Sequence, residues 1–498
     1  MNKSYSGYLS KSNIKVIIVL ICSAIFSISV YQLWSTNTYS VGFPLDDAWI
    51  HQTYARNLIL YKDWVYTPGV ASAGSTAPLW TMILALGYVF NVDHLFWAFT
   101  LGSLLLCMLG FVGYICFIQL TKIHGWIATA SAFFLIFEWH LVWSAVSGME
   151  TILFALLILV VLTGIISLHK HWFALGIIIG LSVWVRPDGI TLIGPAILAI
   201  IISPKSRQEN SQSFAKLLLG FLLLFIPYLA FNIQIAGSWW PNTFYAKQAE
   251  YQALLEFPLY YRYSKLIILP LIGAGVLLVP GFVYISYQNL ISKHWDLILG
   301  IVWFLGYIFI YADRLPLNYQ HGRYLIPAMP VYFVWGMAGT ALFIHEIKKE
   351  SMKRILGRSL LLTSILLLFA FWVLGGKSYA RDVAIIETEM VQSALWIKNN
   401  TSSEDLIGAH DIGALGYFSE RRILDMAGLI SPEVIGFIRD EEKLADYLDQ
   451  KQVMYLMTFP SWYPELVDSL QISFVTASDF SPQAGGENMV VYLWDKQY

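Results

Sequence analysis

The stretch 44-PLDDAWIHQTYARNL-58 contains two adjacent carboxylates, Asp46 and Asp47, shortly after the first hydrophobic segment of the chain at about 14–33. Only 13% of the 498 residues are charged, about half of the ~25% usual in soluble domains, and 57% are hydrophobic. In a chain so poor in charge, two neighbouring carboxylates are not needed for solubility. They predict chemistry at a membrane surface.

The composition is that of a polytopic membrane protein, and it argues against several other classes. A net charge of −2 argues against nucleic acid as a partner. The three cysteines lie in apolar segments without zinc spacing, so we expect neither a disulfide framework nor thiol chemistry from Cys22, Cys107 and Cys116.

Eleven apolar runs are candidate membrane spans, although several are shorter than the roughly 20 residues that a crossing helix needs. They lie at about 14–33, 95–120, 126–137, 150–168, 172–185, 188–203, 217–234, 264–287, 296–312, 326–345 and 358–375. Lys3, Lys11 and Lys15 precede the first run, which is too long for a cleaved signal peptide. These basic residues predict a cytoplasmic N-terminus and place the Asp pair outside.

A twelfth apolar run, at 78–90, decides the orientation of every later loop. If this run does not cross, the loops that carry Lys122, Lys170, Lys205, Lys293 and Lys348 all fall inside, as the positive-inside rule requires. We therefore interpret the run as an interfacial helix with Trp80 near the headgroups. An odd number of spans then exports the C-terminus.

The composition changes near residue 376, where charged and amide residues appear between short apolar runs. We therefore divide the chain into a transmembrane domain at 1–375, whose first outer loop covers 34–94, and an extracytoplasmic domain at 376–498. The runs DLIGAHDIGALGYF, RRILDMAGL, QVMYLMTF and MVVYLW predict short strands and helices of α/β type.

Under this topology the acidic, basic and aromatic residues near the membrane gather on the outer side. A carboxylate suits general-base catalysis on a hydroxyl, and arginine and lysine suit phosphate. Together they fit transfer of a group from a phosphate leaving group on a lipid.

Simpler interpretations exist for three features. The motif 186-RPDG-189 could be a turn with an internal ion pair. His51 follows Asp47 by four residues, so the two share a helical face and could form either a metal pair or a hydrogen bond. Trp239 and Trp240 fit an interfacial anchor better than a sugar platform.

The order of these motifs resembles the GT-C superfamily of integral-membrane glycosyltransferases. The resemblance is carried, over about residues 42–430, by DDAWIHQTYARNL, SGMET, RPDG, PNTFYAK, HGRYLIP and HDIGALGYFS…ILDMAGL. Within the superfamily, the chain is most similar to the bacterial terminal arabinofuranosyltransferase and mannosyltransferase-like group. The resemblance implies an α-helical polytopic fold with about eleven transmembrane helices. Trp49, His51 and Gln52 depart from the aromatic-rich helix that is common in relatives.

The resemblance also implies a reaction. A sugar moves with inversion from a polyprenyl-phosphate donor to an acceptor hydroxyl on a cell-envelope glycan, lipid or protein. Asp46 is the first choice for the catalytic base and Asp47 the second. Donor-phosphate ligands are expected at Arg323, Lys247, Tyr324 and Arg186. Further substrate contacts are expected at His51, Tyr54, Asp188, Asn242, Tyr245, His321, His410 and Asp411, and from Gly74-Ser75-Thr76.

No cofactor is required by this chemistry, and we predict no metal, although an Asp/His site could hold a divalent ion. The sugar, a pentofuranose or a hexose, is left open. The expected location is the cytoplasmic membrane of a bacterium, with the active site facing outward in contact with membrane lipids. A lipid or sugar transporter or flippase is the main alternative, and a glycan-binding receptor is a weaker one.

Overall fold

The computed structural model describes residues 11–167 and 170–494, and its membrane part is built from helices. Lys3 lies outside these residues. The first sixteen α-helices are α1 Lys11–Thr38, α2 Asp46–Tyr61, α3 Pro78–Val89, α4 His94–Thr121, α5 Trp126–Phe137, α6 Trp139–Ala145, α7 Thr151–Ile166, α8 Trp172–Val185, α9 Ile193–Ile201, α10 Arg207–Ala236, α11 Asn242–Glu250, α12 Leu259–Ile267, α13 Val279–Ile291, α14 Trp295–Arg314, α15 Met329–Glu346 and α16 Glu350–Ile386. Short 3₁₀ segments cover Pro187–Leu192, Gln252–Glu256, Leu269–Leu271, Ala274–Leu278, Gln320–Gly322 and Ile326–Ala328.

Seven helices in the described part are long and apolar enough to cross a membrane, and the bent pair α5–α6 gives an eighth. Three shorter apolar helices, at Thr151–Ile166, Trp172–Val185 and Pro187–Ile201, occupy further predicted spans. At a rise of about 1.5 Å per residue they are shorter than the roughly 30 Å hydrocarbon layer. The multi-span helical fold is therefore confirmed, whereas the count of eleven stays a prediction.

The bend between α5 and α6 has a local cause. Glu138 adopts an extended backbone conformation between the two helices, and its carboxylate accepts a hydrogen bond from the N–H of Leu141 in the first turn of α6. This side-chain cap starts a new helix at an angle of 57° to the old one.

The helix α3 in the first loop contains 12 residues, which extend over about 18 Å and cannot span the hydrocarbon layer alone. The prediction that Trp80 lies near the headgroups is wrong, however. Trp80 is only 1% exposed, and its indole N–H donates to the backbone oxygen of Gly148. The ring packs between α3 and the segment before α7, where a large buried aromatic side chain stabilises the contact.

The predicted boundary at residue 376 falls inside a helix. Helix α16 continues to Ile386, then through a π-helical turn at Glu387–Val391, and into α17 Gln392–Asn400. The composition changes there because the helix leaves the apolar bundle and packs on the C-terminal domain. Glu389, fully buried in the π turn, accepts hydrogen bonds from the hydroxyl of Thr476 and the N–H of Met489. The division of the chain into two domains stays a prediction.

The C-terminal region contains the expected α/β structure. Its elements are β3 Leu406–Ala409, α18 Gly413–Phe418, β4 Arg422–Asp425, a 3₁₀ segment Pro432–Phe437, α19 Glu441–Gln450, β5 Tyr455–Thr458, a 3₁₀ segment Pro460–Trp462, α20 Pro464–Val467, β6 Gln471–Val475, α21 Phe480–Gln483 and β7 Val490–Leu493, while β1 Val65–Thr67 and β2 Val70–Ala71 form a small hairpin in the first loop. The five strands have the order β4-β3-β5-β7-β6. Strand β3 is parallel to both β4 and β5, and β7 is antiparallel to its neighbours.

The first loop and the C-terminal domain pack directly against each other, so they occupy the same face of the molecule. Arg56 on α2 donates to the backbone oxygen of Tyr417 over 2.6 Å, and the hydroxyl of Tyr66 donates to the backbone oxygen of Ile412. Both acceptors lie on or beside α18. This contact brings the end of β3 next to the start of α2.

Candidate active site

The two adjacent carboxylates begin α2, and they point to different surroundings because successive residues on a helix are about 100° apart. The carboxylate of Asp46 accepts hydrogen bonds from the N–H groups of Gly413 over 2.6 Å and Ala414 over 2.8 Å. It is 9% exposed. Burial and the carboxylate of Asp411 raise the pKa of Asp46 to about 8, although the two N–H groups lower it. Asp46 thus joins α2 to the start of α18.

The carboxylate of Asp47 lies in an open position instead. Its Oδ2 is 2.5 Å from NH2 of Arg323, and the side chain is 28% exposed. Burial acts to raise the pKa of Asp47, but the cations Arg323 and Lys247 outweigh it and hold the pKa below its ordinary range. Asp47 therefore remains ionised and accessible, and of the two it is better placed to meet a substrate.

Arg323 and Lys247 have positive charge that the protein does not fully compensate. Arg323 is 6% exposed, and its Nε and NH1 have no hydrogen-bond partner among the described residues. Among the residues that the structure describes, no carboxylate lies within 4.0 Å of Nζ of Lys247. Left-handed backbone at His321 and Gly322 turns the chain immediately before Arg323. Buried donors without partners are costly, so these groups are suited to receive an anion.

Two cavities meet at these residues. One, of about 610 Å³, opens beneath the C-terminal domain, and the other, of about 520 Å³, lies among the membrane helices. We call them the domain-side and the membrane-side cavity. The residues that line both are Asp47, Ile50, Lys247, Arg323 and Leu429. An ionised carboxylate and two cations thus form the wall between the two spaces.

The membrane-side cavity contains a second charged group that is compensated internally. Arg186 pairs with Glu150 at 3.3 Å and with Asp188 at 3.2 Å. Asp188 also accepts hydrogen bonds from the hydroxyls of Tyr307 and Tyr311. The motif 186-RPDG-189 therefore forms the internal ion pair named above, and it also lines the cavity.

His51 belongs to the same network rather than to a pair with Asp47. Its Nε2 is 3.4 Å from Oε2 of Glu150, and its Nδ1 lies 3.1 Å from the hydroxyl of Ser75 and 3.2 Å from that of Thr81. The ring therefore lies between the carboxylate of Glu150 and the two hydroxyls. Among the described residues, no group of three or more His, Cys, Asp or Glu side chains is placed to hold a metal ion.

The domain-side cavity is lined by residues that follow the strands of the C-terminal sheet. His410 and Asp411 come directly after β3. His410 lies 3.5 Å from the carboxylate of Glu250 on α11 and 2.7 Å from the hydroxyl of Tyr463, which follows β5. Burial lowers the pKa of His410, but the carboxylates of Glu250 and Asp411 raise it above the ordinary value.

His321 also lines the domain-side cavity. Its Nε2 is 2.8 Å from Oδ2 of Asp382 on α16, and the same oxygen accepts a hydrogen bond from the indole of Trp143 over 2.9 Å. Tyr324, the neighbour of Arg323, lines the membrane-side cavity and accepts a hydrogen bond from Arg323 over 3.1 Å. These positions agree with a role for both residues around the shared wall.

Three predicted substrate contacts lie elsewhere. Tyr54 is fully buried, and its hydroxyl bonds to Ser72 and to the N–H of Gly74, so it supports the loop that carries Gly74. Asn242 donates to the backbone oxygen of Leu429 and thereby ties α11 to the C-terminal domain. Tyr245 packs edge-to-face on Phe244 and lines neither cavity. Helix geometry turns these side chains away, although they share motifs with site residues.

Several lining residues were not predicted, namely Glu250, Asp382, Trp462 and Tyr463. Glu250 follows Lys247 by three residues on α11, so a shared helical face could have indicated it. Trp462 and Tyr463 follow β5 as His410 and Asp411 follow β3. The sequence does not say that these two strands are neighbours.

Sequence comparison finds only a limited match. The family described as Domain of unknown function (DUF8728) matches residues 381–492, and no curated protein sequence matches the chain. The match covers α17 and the sheet, but it leaves the membrane part and the acidic pair without a counterpart.

Solved structures match over nearly the whole chain. ArnT from Cupriavidus metallidurans bound to undecaprenyl phosphate is 14% identical with a TM-score of 0.61, over 95% of this chain and 97% of ArnT. The archaeal oligosaccharyltransferase AglB from Archaeoglobus fulgidus, in complex with an inhibitory peptide and a dolichol-phosphate, is 10% identical with a TM-score of 0.63, over 99% and 75% of the two chains. The arabinofuranosyltransferase AftD from mycobacteria is 13% identical with a TM-score of 0.51, over 96% and 41%. Because these neighbours are all GT-C superfamily glycosyltransferases, the chain has the GT-C fold.

Proposed function

We propose that this protein is a glycosyltransferase that moves a sugar from a polyprenyl-phosphate donor to an acceptor hydroxyl. The observation that carries the proposal is the wall of Asp47, Lys247 and Arg323 between two cavities. A transferase needs a donor on one side of the reacting carbon and an acceptor on the other. The fold, which ArnT bound to undecaprenyl phosphate shares, supports a lipid-linked donor.

The donor enters the membrane-side cavity. Its apolar lining includes Phe309 and Ile310 on α14 and Phe244 on α11, which are 50%, 42% and 37% exposed. These side chains suit a polyprenyl tail that arrives from the bilayer. The phosphate is bound by Lys247 and by the free Nε and NH1 of Arg323, where charge-assisted hydrogen bonds are strongest.

The chemical step is a single displacement with inversion. The acceptor oxygen attacks the anomeric carbon, and the bond from this carbon to the phosphate oxygen breaks. The bonding electrons leave with the polyprenyl phosphate, whose growing charge Lys247 and Arg323 stabilise. The acceptor proton passes to Asp47. This balance requires no metal, and no cofactor is proposed.

Asp47 is proposed as the base in place of Asp46. Both oxygens of Asp46 already accept backbone hydrogen bonds, whereas Asp47 is open to both cavities. In the free protein Arg323 keeps Asp47 weakly basic. A bound donor phosphate gives Arg323 a second anion, which weakens its hold on Asp47 and raises the basicity of the carboxylate. The base is then active when the donor is present.

The site is proposed to face outward at a bacterial cytoplasmic membrane. The basic loops at Lys122, Lys205, Lys293 and Lys348 support this orientation through the positive-inside rule. The cell-envelope glycan, lipid or protein that accepts the sugar would then approach from outside, beneath the C-terminal domain.

The test is a transfer assay with the full chain in lipid nanodiscs, a panel of undecaprenyl-phosphate pentoses and hexoses, and a cell-envelope extract as acceptor. Mass spectrometry measures both glycosylated product and released undecaprenyl phosphate. We expect Asp47→Asn to lose about 10²–10⁴-fold in rate while it still binds undecaprenyl phosphate. Asp46→Asn, the matched control at the neighbouring position, should lose much less rate, because both oxygens of Asp46 already accept backbone hydrogen bonds.

Full turnover by Asp47→Asn would exclude it as the base. Movement of intact donor across the bilayer without sugar transfer would favour the transporter alternative and overturn the proposal.

A further inference from the structure

The domain-side cavity opens at a special position of the C-terminal sheet. After β3 the chain crosses to β4 on one side, and after β4 it crosses to β5 on the other side of β3. The carboxyl ends of β3 and β5 therefore flank the point where the strand order reverses. In open α/β sheets, ligands bind in the crevice outside such a point. Here the crevice holds His410, Asp411, Trp462 and Tyr463 and faces Asp47.

Away from Lys247 and Arg323 at the shared wall, most of the charges around this cavity are compensated within the protein. Glu250 lies 3.5 Å from His410 and 4.0 Å from Arg439, and Asp382 lies 2.8 Å from His321. A bound group with a net charge would have to displace these partners. An anion would also lie close to several negative groups, because five carboxylates line the cavity, at Asp46, Asp47, Glu250, Asp382 and Asp411. The lining therefore favours an uncharged, hydroxyl-rich ligand.

Two groups remain available to such a ligand. No hydrogen bond or ion pair engages the carboxylate of Asp411 within the described part of the chain. Trp462 is 42% exposed although it lines the cavity, and it is supported by His410 and Phe459, whose ring centroids lie 4.9 and 5.1 Å away. An indole face with a nearby hydrogen-bond acceptor suits a sugar ring, which has one apolar face of C–H groups and a rim of hydroxyls.

We propose that the crevice between the ends of β3 and β5 binds the acceptor as a neutral saccharide, which packs on Trp462 and donates a hydroxyl to Asp411. This inference rests on the proposed function, and it names the substrate class for the acceptor half of the site. The saccharide enters beneath the C-terminal domain and presents its free hydroxyl to Asp47. A phosphorylated acceptor and a peptide are the alternatives that the experiment separates.

The test uses the full chain in nanodiscs on an array of neutral hexose and pentose oligosaccharides, phosphorylated oligosaccharides and peptides. We expect neutral saccharides to bind. Trp462→Ala should weaken this binding by at least about tenfold, Trp462→Phe should retain most of it, and Asp411→Asn should weaken it. The matched controls are Trp126→Ala and Asp446→Asn, which replace exposed residues outside both cavities.

Undecaprenyl phosphate binding is measured on the same samples. If it persists while no neutral saccharide binds, or while Trp462→Ala binds saccharides as well as the unaltered chain, the acceptor assignment is overturned and the donor half of the proposed function stands. Selective binding of phosphorylated glycans or of peptides would likewise overturn it. If the unaltered chain does not bind undecaprenyl phosphate, the proposed function itself is contradicted.

Discussion

The two cavities that meet at Asp47 treat their charges differently. On the domain side, Glu250 and Asp382 each have a basic side chain within 4.0 Å. At the shared wall, Arg323 has Asp47 as its one carboxylate partner in the described structure and donates to the hydroxyl of Tyr324, while its Nε and NH1 have no partner there. Compensated charge suits recognition of neutral hydroxyls, whereas uncompensated cations suit a phosphate. The difference supports the proposal that the membrane-side cavity binds the donor and the domain-side cavity the acceptor.

The membrane-side cavity repeats this contrast within itself. Arg186 forms ion pairs with Glu150 and Asp188 and donates to the hydroxyl of Tyr311. Among the described residues, Arg323 has one carboxylate partner within 4.0 Å and Lys247 has none. Arg186 was expected to bind the donor phosphate, but its geometry assigns it first to holding three segments together. The following predictions test whether each cation is structural or binds phosphate.

The largest effect is expected on stability, from Arg186→Gln. This change leaves Glu150 and Asp188 without their cation in a buried setting, which costs about 3–5 kcal/mol. Thermal unfolding in nanodiscs measures it. Arg314→Gln, which removes an exposed ion pair to Asp313, should cost less than about 1 kcal/mol. If Arg186→Gln unfolds normally but loses undecaprenyl phosphate binding, Arg186 is a phosphate ligand and the contrast fails.

The next effect is expected on transfer, from Arg323→Gln and Lys247→Gln. Each removes one of the two cations proposed to stabilise the leaving phosphate, so the rate should fall about 10²–10³-fold. Arg323→Lys should recover only part of it, because lysine lacks the planar fork of donors. The measurement is release of undecaprenyl phosphate under single-turnover conditions. Lys265→Gln on α12 is the control, since Lys265 is exposed and lines neither cavity. Equal losses in the control would contradict the assignment.

Much of the fold could be predicted from the sequence, because membrane helices and their loops follow directly from runs of apolar residues. The acidic pair could be predicted because so few residues of the chain are charged, and Lys247 and Arg323 followed from the resemblance of their motifs to the GT-C superfamily. The short α/β elements of the C-terminal domain were found from their alternating composition. In each case the signal was local in the chain.

What was missed depends on distant contacts. Asp46 and Asp47 are adjacent, and only the docking of α18, more than 360 residues later, distinguishes the capped carboxylate from the open one. The link from His51 through Glu150 to Arg186 likewise joins three separate segments. Trp462 could be recognised only once β5 was known to lie beside β3. Such pairings are set by tertiary packing, which a single sequence does not record.

A smaller effect is expected on pH dependence, from Asp411→Asn. Burial, together with the nearby carboxylates of Asp47 and Glu250, raises the pKa of Asp411 from 3.8 to about 6, although His410 and Lys247 lower it. A carboxyl whose pKa is raised on folding destabilises the native state when it ionises, so its cost appears above pH 3.8 and is complete above pH 6. At pH 7 the free energy of unfolding of Asp411→Asn should therefore exceed that of the unaltered chain by about 1–3 kcal/mol. The gain should vanish below pH 4. A gain that is independent of pH would mean that Asp411 is not the titrating group.

The smallest effect is expected from Tyr54→Phe, and it separates a supporting residue from a substrate contact. The change removes the hydrogen bonds to Ser72 and Gly74 and leaves the ring in place, so loss of the hydroxyl should cost about 0.5–1.5 kcal/mol in unfolding free energy. Because Gly74 and Thr76 line the membrane-side cavity, looser support of this loop should weaken undecaprenyl phosphate binding slightly and leave saccharide binding on the domain side unchanged. The two binding measurements already described provide the readout. Equal losses of undecaprenyl phosphate binding and saccharide binding would mean that Tyr54 supports the shared wall and not the loop. The two cavities would then be less independent than their charges indicate.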